Sequence, residues 1–159
     1  MPGNYLFDSL LEKVRELAAG KLSRDEALVR VCNLLKEAVP HYDWVGFYLV
    51  AGERELALGP YAGEPTEHYR IAFGSGICGQ AADREKTFVV QDVRRETNYL
   101  SCSPSVRSEI VVPIFAENRL VGELDLDSHE LAPFSAADRE FLEEVARRVA
   151  ILFQQKIPG

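Results

Sequence analysis

The chain of 159 residues is the size of one domain, and at 47% apolar and 27% charged residues it can bury a core, which excludes a disordered tail. Lys and Arg number 18 against 25 Asp and Glu, a formal charge of −7 with no basic run longer than a pair. The phosphate neutralisation that a nucleic acid or an anionic membrane demands is therefore missing, and neither is expected as a partner.

The opening stretch MPGNYLFDSLLEKVRELAAG interleaves acids with apolar residues. It has no basic segment leading into an apolar run and no span near the length of a membrane helix, so a cytoplasmic protein is expected. Three cysteines in a reducing compartment are not a disulfide framework, and any bridge among them would be transient and catalytic. Apolar residues at 6, 10, 14 and 17 predict a first helix that Gly20 stops. Ser23 with Glu26 three residues later is a capping-box signature for a second helix, with Ala27, Leu28, Val31, Cys32, Leu35 and Val39 on one stripe.

After Pro40 the apolar period falls to 2. WVGFYLV reads as a strand with Val45, Phe47 and Leu49 on one side and Trp44, Gly46 and Tyr48 on the other. Further strands are expected at 55–59, YRIAF, TFVVQ, EIVVPIF and LVGELDLD, with a hairpin turn at Glu117 and Asn118. Ser135 and Asp138 cap a final helix running to about Gln155, with Phe141, Leu142, Val145, Val149 and Leu152 on its buried face. The order predicts a single α+β domain over 1–159: helices over 1–39, sheet and loops over 40–132, and a closing helix over 133–159. One mostly antiparallel sheet would carry the terminal helices on one face.

The segment FGSGICGQ has glycines at 74, 76 and 79, the G-x-G-x-x-G spacing of a dinucleotide cradle, after a strand and before Asp92. Only 80–86 remain for a crossover helix, and a long loop and a hairpin follow where a second βαβ half is needed, so the nucleotide reading fails on architecture. The same turn leaves unpaired N–H groups near Cys78, which would prime a thiolate there. The other reading of Cys78 is a small apolar filler at a helix–sheet junction.

Cys102 sits in RRETNYLSCSPSVRSE, about sixteen residues without periodicity, a loop length usually reserved for function or disorder. Arg94, Arg95 and Arg107 either lower its pKa or solvate the loop. In GELDLD, Glu123, Asp125 and Asp127 share one strand face at about 7 Å spacing. That face is either wetted by solvent or holds a cation or a shared proton, and Glu109 opens the preceding strand. Trp44 and Tyr48 flank Gly46 as a pocket wall or as packing under a helix. Cys32 lies on an apolar stripe and reads as structural, and His41, His68 and His129 have no metal-site spacing, so no metal is expected.

WVGFYLV, ELALGPYAG, GSGICGQAA, QDV, the Cys102 loop with SEIVVPI, and VGELDLDS follow the order and spacing of another group of proteins. The chain resembles, over roughly residues 40–150, the GAF-domain free methionine-(R)-sulfoxide reductase family, which implies a GAF-like fold. The resemblance implies Cys102 as nucleophile, passing through a sulfenic acid. It implies Cys78 as the resolving thiol of a disulfide that thioredoxin reduces, with no other cofactor. Glu109, Asp125 and Asp127 would hold substrate and assist protonation of the sulfoxide oxygen, and Trp44 and Tyr48 would line the pocket. His68 stands where the family often has a third cysteine, and NYLSCSPS departs from the family's pattern around the nucleophile. The competing reading is a non-catalytic GAF module sensing a small molecule or cyclic nucleotide. A subunit-interaction role for the terminal helices, as in a homodimer, is the third.

Overall fold

The computed structural model describes residues 5–100 and 103–154. The chain runs α1 (Tyr5–Ala19), α2 (Arg24–Ala38), β1 (Trp44–Val50), β2 (Glu55–Ala62), β3 (Arg70–Ala72), α3 (Gly76–Arg84), β4 (Phe88–Val90), β5 (Ser108–Ala116), β6 (Arg119–Ser128) and α4 (Ala136–Val149). A 3-10 turn at Val93–Arg95 follows β4, and another at Ala150–Phe153 continues α4. The final helix therefore changes to the tighter winding at residue 150 rather than running as α-helix to Gln155.

Local chemistry accounts for the boundaries. Ser23 Oγ accepts from the Glu26 amide at 3.2 Å and starts α2. At α4 the Asp138 amide donates to Ser135 Oγ at 3.1 Å while the Ser135 amide donates to Asp138 Oδ2 at 2.8 Å, a reciprocal capping box. Glu117 and Asn118 take φ of 53° and 64°, the pair of left-handed residues that a tight hairpin between right-twisted strands requires. The first helix corrects its predicted stripe: Phe7, Leu10 and Val14 are buried, whereas Leu6 is 43% exposed. Position 7 keeps the three-and-four spacing to 10 and 14, and position 6 falls at its margin.

The sheet has the order β3-β2-β1-β6-β5-β4, and every neighbouring pair is antiparallel. β2 extends to Ala62, beyond the predicted 59, because its pairing with β1 continues through Tyr61 and Ala62. One face carries the larger core. There Phe7, Leu10, Leu28, Leu35, Phe141 and Leu142 of the helices pack with Val45, Phe47, Ile110, Val112, Leu124 and Leu126 of the strands. The other face carries a second core of Trp44, Tyr48, Leu56, Ile71, Ile77, Cys78, Ala81, Val106 and Val111.

The terminal helices α1, α2 and α4 pack on one face, as expected, and the second core adds α3 on the other. β3 and β4 lie at opposite edges of the sheet, so the segment joining them must cross it, and α3 makes the crossing. The dinucleotide reading fails for the same reason: β3 and β4 are not adjacent parallel strands, and α3 closes no βαβ unit.

Cys32 is fully buried among α2 neighbours in the larger core, on the far face from Cys78, and burial pushes its thiol well up. Its structural reading stands on that packing. Cys32→Ala is expected to lower stability by about 1 kcal/mol in denaturant unfolding, the transfer cost of one small buried side chain, with turnover unchanged. A loss of turnover in the folded variant would give this thiol a role in the chemistry.

Candidate active site

Six of the candidate residues belong to the α3 side of the sheet. Register sets the carboxylates: Glu109 of β5 pairs with Asp127 of β6, and Val111 with Asp125. β6 also pairs with β1, where Trp44 faces Asp127, Gly46 faces Asp125 and Tyr48 faces Glu123. Strand alternation places Trp44, Tyr48, Glu109, Glu123, Asp125 and Asp127 on one face, beneath α3 and Cys78.

This face is not wet. Glu109, Glu123, Asp125 and Asp127 are 5%, 0%, 2% and 1% exposed, which overturns the solvent-face reading of GELDLD and leaves the cation or shared-proton alternative. The reason is the crossing helix, which a strand's own alternation cannot reveal. Both oxygens of Glu123, Oδ1 of Asp125 and Oδ1 of Asp127 have no hydrogen-bond partner among the described residues. Burial, then the neighbouring Asp125, pushes Glu123 and Asp127 well above the usual carboxylate range; burial also raises Asp125. Such groups hold protons at pH values where exposed carboxylates have lost them.

Cys78 is 5% exposed, and its Sγ lies 3.9 Å from Glu109 Oε2, the long limit of a thiol hydrogen bond. Its thiol is pushed well up by burial first, then by Asp125, Glu109, Glu123 and Asp127. A thiolate primed by the α3 N-terminus is therefore overturned in this state: dehydration and four carboxylates outweigh the helix end.

The start of α3 is filled by a residue that sequence reasoning missed. Asn98 Oδ1 accepts from the Gly76 amide at 2.8 Å, and Asn98 Nδ2 donates to the Gly74 carbonyl at 2.7 Å. Gln80 Nε2 adds bonds to the carbonyls of Gly76, 2.9 Å, and Asn98, 3.0 Å. The glycines serve this turn. The Gly74 amide donates to the Gly79 carbonyl at 2.7 Å, and the Gly79 amide donates to the Ser75 carbonyl at 2.9 Å. A lone asparagine in a loop carries no sequence signal for such a cap.

The nucleophile candidate Cys102 lies outside the described residues, but both its flanks are placed. Leu100 packs on Gly76 and lines a cavity of about 10 Å³ with Tyr48, His68, Ile71, Ile77, Cys78, Glu109 and Asp125. Ser103 lines a neighbouring cavity of about 50 Å³ with Asp43, Trp44, Glu64, Val106, Asp127 and His129. Trp44 stacks on Tyr61 with ring centroids 5.5 Å apart and donates from Nε1 to the Glu64 carbonyl at 2.9 Å; Tyr48 Oη donates to the His68 carbonyl at 3.0 Å. Both aromatics are thus fixed as cavity walls, one for each cavity. Arg94 and Arg95 turn to Asp92, at 3.1 Å and 3.8 Å, and hydrogen bonding from Arg94 holds that carboxyl below its usual range; Arg107 is exposed. His41 lies against Asp138 and His129 near Asp43, apart from the His68 cavity.

The family model for the GAF domain matches residues 21–154. The chain is 37% identical over 141 residues to the GAF domain-containing protein A of Dictyostelium discoideum, covering 89% of this chain and 88% of that protein. It is 34% identical over 132 residues to the free methionine-R-sulfoxide reductase of Saccharomyces cerevisiae, covering 75% and 73%. Among solved structures, the free methionine-R-sulfoxide reductase of Neisseria meningitidis in complex with its substrate superposes with a TM-score of 0.88 at 36% identity, covering 96% of this chain and 92% of that one.

Proposed function

The chain belongs to the GAF-domain free methionine-(R)-sulfoxide reductase family, and from that membership we propose that it reduces free methionine-(R)-sulfoxide to methionine. The observation that carries the reading is the strip of buried carboxylates under α3, with Cys78 above it and both flanks of Cys102 bordering the two cavities along it. A module that only senses a ligand has no need for a thiol and four desolvated acids held together at such cost.

In the first step Cys102 attacks the sulfoxide sulfur while a protonated carboxyl of Glu109, Asp125 or Asp127 delivers a proton to the sulfoxide oxygen. The oxygen passes to the cysteine: methionine leaves, reduced by two electrons, and Cys102 becomes a sulfenic acid, oxidised by two. In the second, the Cys78 sulfur attacks the sulfenic sulfur, its proton leaves with the hydroxyl as water, and a disulfide closes. Thioredoxin then reduces that disulfide and is itself oxidised, which returns both thiols. The carboxylates left ionised meet the substrate ammonium, and Trp44 and Tyr48 wall the apolar end of the pocket. Cavities of about 10 and 50 Å³ are too small for an amino acid. Entry therefore requires the segments carrying Leu100 and Ser103 to lift from α3 and Trp44.

The test is a thioredoxin-coupled assay on the separate R and S sulfoxides of free methionine, with a peptide-bound sulfoxide as control. Turnover on the free R form alone is the expected result. Cys102→Ser is expected to abolish turnover with the fold intact. Cys78→Ser is expected to release one methionine per chain and then stop, because thioredoxin finds no disulfide to reduce. Retained turnover in the first variant reassigns the nucleophile, and sustained cycling in the second removes the resolving role of Cys78.

A further inference from the structure

Cys78 Sγ, a carboxylate oxygen of Glu109 and a carboxylate oxygen of Asp125 lie within 4.8 Å of one another, all three residues buried. The sulfur and Glu109 Oε2 are 3.9 Å apart. In a tetrahedral zinc site, with metal–sulfur about 2.3 Å and metal–oxygen about 2.0 to 2.2 Å, the sulfur–oxygen edge is about 3.5 Å. The sulfur and the Glu109 oxygen thus stand a few tenths of an ångström from coordinating geometry, and the Asp125 oxygen lies within 4.8 Å of both.

Two further observations point to a guest. Asp125 Oδ1, on the wall of the cavity beside Cys78, is buried with no partner among the described residues. The cavity bounded by Cys78, Glu109 and Asp125 measures about 10 Å³, room for one water-sized occupant. It accepts an ion in the closed state that excludes an amino acid. His68 lines the same cavity.

We propose that Cys78, Glu109 and Asp125 form a binding site for a thiophilic divalent cation of the zinc type. A thiolate with two carboxylates selects such an ion over magnesium or calcium, which take oxygen donors alone. On binding, the Cys78 S–H bond breaks, its proton passes to solvent and a sulfur–metal bond forms, with no change of oxidation state. The bound ion occupies the thiol and two of the carboxylates, so it shuts off disulfide formation and substrate entry together. The site stands independently of the reductase reading, because ion binding needs neither substrate nor turnover.

The experiment uses the full chain, reduced and freed of metal by a chelator, and titrates it with cobalt(II) as an optical stand-in for zinc. The expected result is one cobalt per chain with a thiolate-to-cobalt charge-transfer absorption that added zinc displaces. Cys78→Ser should lose that band, and Glu109→Gln should weaken apparent affinity about tenfold or more. Cys102→Ser and Cys32→Ala should keep both band and affinity. Absence of the band in the unmodified chain, its persistence in folded Cys78→Ser, or its loss in folded Cys102→Ser overturns the assignment. Should Cys78→Ser not fold, Glu109→Gln decides: an affinity equal to that of the unmodified chain overturns the site.

Discussion

Gly79→Ala is expected to destabilise the protein by about 3 kcal/mol and to lower its melting temperature by roughly 6 to 12 °C. A Cβ at this position would stand 2.5 Å from the Ala72 carbonyl oxygen and 3.0 Å from the Gly74 amide nitrogen. Both are backbone atoms, one at the end of β3 and one in the turn that follows it, so no side chain can swing aside. Relief requires α3 to move off the sheet, and Cys78 precedes the glycine directly. The variant is therefore also expected to lose turnover beyond what its stability explains. Gly52→Ala is the control: Gly52 has φ +67° and nothing within 4 Å of the place a methyl carbon would take, so only left-handed backbone strain of about 1 kcal/mol applies. Equal losses at the two positions would show that backbone conformation, not the close approach of α3 to β3, sets the cost.

Asp138→Ala is expected to cost about 3 kcal/mol in denaturant unfolding, because one carboxylate serves several donors at once. Tyr42 Oη donates to its Oδ1 at 2.7 Å and His41 Nε2 lies 2.9 Å from the same oxygen. Ser135 reaches Oδ2 with its amide at 2.8 Å and its Oγ at 2.7 Å. Truncation removes the carboxylate half of the α4 capping box, leaving only the bond from the amide at 138 to Ser135 Oγ, and leaves the Tyr42 hydroxyl buried without its acceptor. Burial pushes the Asp138 carboxyl up, but the bonds from Tyr42, Ser135 and His41 together outweigh it and hold the carboxyl below its usual value. The unfolded chain then binds the proton more tightly than the native state, so this stabilisation is present above the unfolded value of about 3.9 and is lost as pH falls through the lower native value. The stability gap between the unmodified chain and Asp138→Asn should accordingly shrink below about pH 4. A gap that stays constant from pH 6 to pH 3 would mean that Asp138 has the same proton affinity folded and unfolded.

The cap at Asp138 is legible in the sequence, because Ser135 and Asp138 lie three apart and their bonds depend on nothing distant. The same holds for Ser23 with Glu26, for the hairpin at Glu117 and Asn118, and for the period-2 faces of β1 and β6. The burial of Glu123, Asp125 and Asp127 is not legible. Alternation shows that three carboxylates share a face; whether that face is wet depends on α3, which comes from about forty residues earlier and crosses because its flanking strands sit at opposite edges. The Cys78 thiol escapes sequence reasoning in the same way: the glycine turn and helix start are local, but the burial that raises its proton affinity most, and the acids of β5 and β6 that add to it, come from the assembled sheet. Tyr42 and Asn98 give no signal because their partners, Asp138 and Gly76, are far away in sequence. The pairing of the aromatic wall with the acids is available in part, as Trp44, Gly46 and Tyr48 share a face, but their register against Asp127, Asp125 and Glu123 is a property of the assembled sheet.

The strand order β3-β2-β1-β6-β5-β4 also constrains synthesis. β1 leaves the ribosome with β2 to pair on one side, but its other neighbour, β6, is translated only after all the remaining strands. Until then the nascent chain presents an open, apolar strand edge, the kind of surface that chaperones cover and that aggregates recruit. Nor can the acids be desolvated early, since three of them ride on β6 itself. Their burial is deferred to the last strand, when the gap between β1 and β5 is closed in a single insertion.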